Sequence, residues 1–311
     1  MVKTGEPNPL FSSILLRKNH FSSKPPASRF VTVEGRQMHL ADYGKGEKTI
    51  VFMSGLGTAC PSIDFLPLIN HLKTDYRCVV AELFGYGYSD DTLRPRTLQN
   101  LVEETRQALL QAGIAPPYVL LGHSIAGIYM LYWASHYPDE VETVIGNDSS
   151  VPGQSTQVKA SPFTPLLNRL GLFHLLFRLG WREKKLLFLC GRDPLNLPDV
   201  RKLAGNNYIC WSLYDEGKRL LSNITATREL KFPENCSLLH LVSKQSSDMI
   251  AKKGFDWTGE HEKQVRQVKK GRLVLLSGGH YLHWTHSSEM ASEIKAFLKE
   301  EPQDGSVLSP A

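Results

Sequence analysis

LLGHSIAG, residues 120–127, interrupts an apolar run with Gly122, His123 and Ser124 before an apolar helical pattern resumes at Ile125. A buried strand passing into a helix needs turn chemistry at the junction, and a glycine alone would serve. A serine there is either a helix cap or a reagent, and its neighbours decide between the two. Gly122 and Ala126, two before and two after, are small, and Gly127 adds room behind them. A cap makes no such demand. A serine held in a strained strand-to-helix turn does, because strand and helix must approach closely around it. Ser124 is therefore the expected nucleophile.

Working outward, residues 118–137 have membrane-spanning length and carry no charge beyond neutral histidines. With Gly, His and Ser in mid-run and no partner span, they read better as strand, turn and helix. Upstream, residues 29–44 alternate as two strands joined at Glu34-Gly35. KTIVFMSGLG (48–57) is a buried strand ending in glycines, YRCVVAELFGYGYSD (76–90) another, and TLQNLVEETRQALLQAG (97–113) a helix stopped by Gly113. Apolar strands alternating with helices imply an α/β fold with a mostly parallel sheet covered on both faces. The alternation breaks between 151 and 233, where the pattern is helical throughout, and resumes to residue 300. The expected organisation is a core of 29–150 and 234–300, a helical insertion at 151–233 and a disordered tail at 301–311.

A serine hydroxyl attacks only when a base takes its proton, so a histidine oriented by a carboxylate is required. LLSGGHYLHW (275–284) supplies His280 after the last strand and two glycines; His283 and His286 fall in or beside the final helix and are expected to pack or face solvent. An oxyanion hole needs two backbone N–H donors. Ile125, just after the serine, offers one, and Leu56, between Gly55 and Gly57, the other.

These stretches together resemble the α/β-hydrolase superfamily, in the group with a helical cap inserted after the sixth strand. The matching segments are FMSGLGT, with Ser54 where many members have His; ELFGYGYSD, with Glu82 for the usual Asp; PYVLLGHSIAG; and LLSGGHYLHW. The resemblance implies cofactor-free, metal-free hydrolysis of an ester, amide or related bond, and Ser124 sets the chain apart from aspartate-nucleophile branches. It also implies a triad acid after one of two strands. Asp248, in LVSKQSSDM, is the expected acid, following the family's commonest order and a segment without apolar periodicity; Asp148, in VIGNDSS, is the alternative.

The expected activity is that of a serine carboxylesterase or lipase acting on an apolar small-molecule ester, because the insertion is dense in leucine from Leu166 to Leu179. A proline-iminopeptidase-like aminopeptidase stays open, with Glu183, Asp215 and Glu216 as candidate ammonium ligands, as do a cofactor-free perhydrolase and a non-catalytic ligand-binding protein on the same fold.

Composition bounds the rest. The 311 residues are 41% hydrophobic and 22% charged with a formal charge of +5, enough for a large core. Residues 1–29 carry Lys3, Arg17, Lys18, Lys24 and Arg29 against Glu6, leaving the remainder nearly neutral, which argues against a nucleic-acid partner. Five scattered cysteines without a C-x-x-C pair indicate neither zinc nor a disulfide framework. Residues 1–28 read as a flexible basic arm in a cytoplasmic protein, although transit peptides and arms that touch anionic membranes share this composition. Peripheral membrane contact is assigned to that arm or to the cap.

Overall fold

The computed structural model describes residues 27–154, 161, 163–181 and 197–300. Eight strands, β1 (Ser28–Val33), β2 (Arg36–Tyr43), β3 (Thr49–Met53), β4 (Arg77–Glu82), β5 (Tyr118–His123), β6 (Val141–Asn147), β7 (Ser237–Ser243) and β8 (Gly271–Leu276), form one sheet. Its order is β1-β2-β4-β3-β5-β6-β7-β8. The first hairpin and the β2/β4 pair are antiparallel, and every later pairing is parallel. Glu34 (φ 50°) and Gly35 (φ 72°) both adopt left-handed backbone, as a two-residue turn matched to strand twist requires.

Successive strand residues point to opposite faces, and both faces are covered. Val51 joins a core with Leu101 and Leu109 of helix Leu98–Gln111 and Ile128 and Trp133 of helix Ala126–His136. Its neighbours Ile50 and Phe52 join the opposite core, with Leu68, Leu72, Ile294 and Phe297 from helices Leu66–Leu72 and Ser287–Lys299. β3 and β5 are therefore buried along their whole length, which is why they read as apolar runs rather than alternations.

Between β6 and β7 the described helices are Thr164–Arg169, Leu172–Arg178, Leu197–Asn207 and Trp211–Ala226. Phe177, Val200 and Leu203 pack on Cys60, Ile63 and Tyr88, which follow the carboxyl ends of β3 and β4. The insertion thus sits at the sheet edge where the loops emerge. Cys60, Cys78, Cys210 and Cys236 are buried free thiols. Cys190, Glu183, residues 1–26 of the arm and the tail lie outside the described residues. No helix among the described residues is long and apolar enough to cross a membrane.

Candidate active site

β5 ends at His123 and the next helix begins at Ala126, so Ser124 occupies the turn between them. Its φ of 54° is left-handed, a conformation that a serine holds only when its surroundings impose it. Three backbone bonds do so: Ser124 N–H donates to the Asn147 carbonyl (3.3 Å), and its own carbonyl accepts from Ser150 (2.6 Å) and Gly127 (3.1 Å). The small neighbours are demanded by space. A Cβ at Gly122 would lie 2.6 Å from Met130 Cε and 2.9 Å from the Ala126 methyl, and one at Gly127 only 2.3 Å from the Ser150 carbonyl oxygen.

His280 follows β8, with its Nδ1 2.6 Å from Oδ2 of Asp148. Asp148 comes directly after β6 at φ 42°, in the same left-handed region as Ser124 one strand away. Its carboxylate also accepts from the Ser246 hydroxyl (2.6 Å), the Ser243 N–H (3.1 Å) and the Trp257 indole N–H (3.1 Å). Burial pushes this carboxyl up, but the His280 contact and the bonds from Ser246 and Ser243 outweigh it and hold it below the usual range. The acid is fully buried while the His280 side chain keeps 39% of its exposure. With Nδ1 committed to the acid, Nε2 is the nitrogen left to serve a hydroxyl.

The acid expected first from the sequence, Asp248, does not face His280. The stretch after β7 is no loop: Ser243 caps a helix, Lys244–Ala251, by accepting from the Ser246 N–H, and Asp248 is an exposed residue of that helix. The alternative, Asp148, holds the position instead. His283 is buried and packs, as expected, while half-buried His286 contacts Ser277 and Thr285.

Ser124, His280, Asp148, Leu56 and Ile125 line one cavity of about 730 Å³. Its remaining apolar wall comes from Leu220, Met249, Ile250, Phe255 and Trp257. The leucines expected to form it lie elsewhere: Leu166, Leu167, Leu170, Leu175 and Leu179 are 40–74% exposed and outside the cavity. Nor do Asp215 and Glu216, the two candidate ammonium ligands among the described residues, line it. Asp215 accepts from Arg219 (2.6 Å) and the Arg96 N–H (2.7 Å). Glu216 is buried under the Tyr86 and Tyr129 hydroxyls, and burial, against the pull of Arg96 and both tyrosines, keeps its carboxyl above the usual range.

Packed against His280 through the His123 ring lies a cluster that the sequence did not bring together. Asp64, His123 and His283 are buried, with one donor atom of each within 4.8 Å of the others. As a metal centre the set is short of ligands. His283 donates Nε2–H to Asp64 (3.0 Å) and accepts from the Asn147 amide at Nδ1 (2.7 Å), so of these three residues only His123 Nδ1 and Asp64 Oδ1 lack partners. Two donors fall below the three or four that a bound zinc needs.

A family model described as alpha/beta hydrolase fold matches residues 48–168. A crystal structure of Cfl2 from Burkholderia cenocepacia superposes with a TM-score of 0.66 at 19% identity, covering 88% of this chain and 95% of that one. In sequence, YbdG of Bacillus subtilis is 37% identical over 153 residues, 49% of this chain and 46% of that protein. A pimeloyl-[acyl-carrier protein] methyl ester esterase of Xylella fastidiosa is 33% identical over 82 residues, 26% of this chain and 30% of the esterase. The chain thus spans less than half the length of these curated relatives. Sheet order and these matches agree: the protein has the α/β-hydrolase fold, and the matched segment includes Leu56, Ser124 and Asp148.

Proposed function

We propose that the protein is a serine hydrolase that cleaves a carboxylic ester through an acyl-enzyme. The observation that carries this reading is the His280–Asp148 contact beside a strained, half-buried Ser124, all three lining one cavity. Ser124 Oγ attacks the ester carbonyl as His280 Nε2 takes its proton, and the oxyanion forms against the N–H groups of Leu56 and Ile125. His280 then returns the proton to the leaving alkoxide. Water, deprotonated by the same imidazole, attacks the acyl-Ser124 ester, and as the acyl–Oγ bond breaks His280 returns that proton to Ser124 Oγ and the carboxylic acid is freed. Asp148 keeps Nδ1 protonated and stabilises the imidazolium throughout.

The relatives named as methyl ester esterases support an ester as the bond. The apolar wall formed by Leu220, Met249, Ile250, Phe255 and Trp257 supports an apolar acyl or alkoxy group. The described residues add no support for aminopeptidase action: Asp148 is the one carboxylate among those that line the cavity, and His280 already engages it. A fluorophosphonate probe tests the reading. Wild type should be labelled at Ser124 and Ser124→Ala not at all, and ester turnover should rise with chain length from acetate to hexanoate. Equal labelling of Ser124→Ala refutes the nucleophile, and falling specificity along the series refutes the apolar pocket.

The exposed leucines suit a different contact. From 149 to 182 the sequence carries Lys159, Arg169, Arg178 and Arg182 and no acidic residue. An apolar surface with basic residues matches an anionic bilayer surface, and we propose that the cap rests there to collect lipophilic esters.

A further inference from the structure

Each of the four segments that build the site has, within or next to it, a residue whose side chain joins one buried cluster. Asp64 belongs to the segment that follows the oxyanion loop, His123 precedes Ser124, Asn147 precedes Asp148, and His283 lies three residues after His280. The contacts are continuous. His283 is pinned between Asp64 and Asn147, and the Trp284 indole N–H donates to the Asp64 carbonyl (3.0 Å). His123 Nε2–H donates to the backbone carbonyl of His280 itself (3.0 Å). The His123 ring also packs on His280, Tyr281 and His283 at centroid distances of 4.5, 5.0 and 4.8 Å.

Building on the hydrolase reading, we infer that Asp64, His123, Asn147 and His283 form a buried clamp that sets the relative position of the four catalytic loops, with His123 positioning the base, His280. Core packing alone does not account for it. Four polar side chains in a core cost desolvation that apolar residues of the same volume would avoid. His123 has its Nδ1 buried without a partner, so the one bond that its ring makes is to His280. Burial, followed by the fields of His283 and His280, holds this imidazole well below its ordinary range. It is therefore a neutral ring with a fixed Nε2–H, a donor whose direction does not change with pH near neutrality.

Two substitutions isolate that bond. His123→Phe keeps a ring and removes the donor; His123→Gln places an amide N–H near the same point. Hydrolysis of p-nitrophenyl butyrate, the rate of fluorophosphonate labelling and the thermal midpoint are measured for each. His123→Phe should lose kcat by about 10²-fold, the effect of misplacing a reacting group by roughly an ångström, with KM nearly unchanged and labelling slowed in parallel. His123→Gln should recover most of both rates. A His123→Phe protein with unimpaired kcat, or a Gln variant no better than Phe, overturns the clamp. Should His123→Phe fail to fold, Asp64→Ala replaces it, with Asp64→Asn, which keeps an oxygen for His283, as the rescue read by the same criteria. If wild type itself neither labels nor hydrolyses, the hydrolase reading falls and the clamp's role with it; wild-type turnover with an unaffected variant removes the clamp alone.

Discussion

Replacing Asp148 by asparagine separates charge from shape at the proposed triad acid. Oδ2 of Asp148 receives His280 Nδ1–H and the Ser246 hydroxyl, and Oδ1 receives the Ser243 N–H and the Trp257 indole N–H. An asparagine must set its NH₂ against one of these pairs. Facing Ser243 and Trp257, it would strand two donors that have no way to accept, at about 1–3 kcal/mol each. Facing Ser246 and His280 it has an escape, since the hydroxyl rotates and the imidazole moves its proton to Nε2. The second arrangement wins, and it puts a proton on the nitrogen that must accept one from Ser124. A wrong tautomer of this kind costs on the order of 10⁴ in kcat, or about 5.5 kcal/mol of barrier. Asp248→Asn, on an exposed helix face, should stay within about twofold of wild type. Steady-state ester hydrolysis by the two variants side by side, with circular dichroism to confirm folding, decides the matter. Near-wild-type turnover by Asp148→Asn, or a large loss in Asp248→Asn, refutes the reasoning.

Three further outcomes are expected. Because the Asp148 carboxyl lies below its unfolded value of about 3.9, its pairing stabilises the fold above that pH and is lost as pH falls through the lower folded value. Urea midpoints between pH 6 and pH 3 should therefore drop more steeply for wild type than for Asp148→Asn, and parallel curves would contradict the shift. Gly127→Ala should destabilise more than Gly122→Ala, since the first methyl meets a backbone oxygen at 2.3 Å and the second mainly the movable end of Met130; urea denaturation giving the opposite order counts against the elbow geometry. Co-sedimentation with phosphatidylglycerol vesicles should weaken several-fold in Leu170→Ser/Leu179→Ser while soluble-ester turnover is unchanged, and equal binding by both proteins rejects the membrane contact.

The elbow was legible because its requirements are local. Gly122, Ser124, Ala126 and Gly127 sit within six residues, and each clash that enforces their size is with a near neighbour or the adjacent strand's loop. His280 was legible for a similar reason, as a polar residue directly past a strand and two glycines. The acid was not. Asp148 is defined by donors at Ser243, Ser246 and Trp257, about a hundred residues away, and no pattern near VIGNDSS announces them. The segment holding Asp248 misled because its lack of apolar periodicity was taken for a loop. A signal was present: Ser243 at the end of a strand, with Ser246 three residues on, is a cap that starts a helix, and the exposed helix needs no apolar stripe. The clamp was still further out of reach, since its members share neither spacing nor type.

The leucine-rich insertion shows the same limit from the other side, because composition says that apolar area exists but not which way it faces. Apart from Leu220, which the insertion does supply, the apolar cavity wall comes from the stretch after β7, where Met249, Ile250, Phe255 and Trp257 are scattered among charged residues. That origin has a chemical consequence. Trp257 is at once a wall of the cavity and a donor to Asp148, and Leu56 is both a lining side chain and the bearer of a proposed oxyanion donor. The groups that would touch the substrate's apolar part are thus bonded to, or are, the groups that act on its carbonyl. On the proposed hydrolase reading, a substrate that fills the wall would hold Trp257 in place and with it Asp148, so that binding energy far from the ester would be expressed in the chemical step rather than in affinity alone.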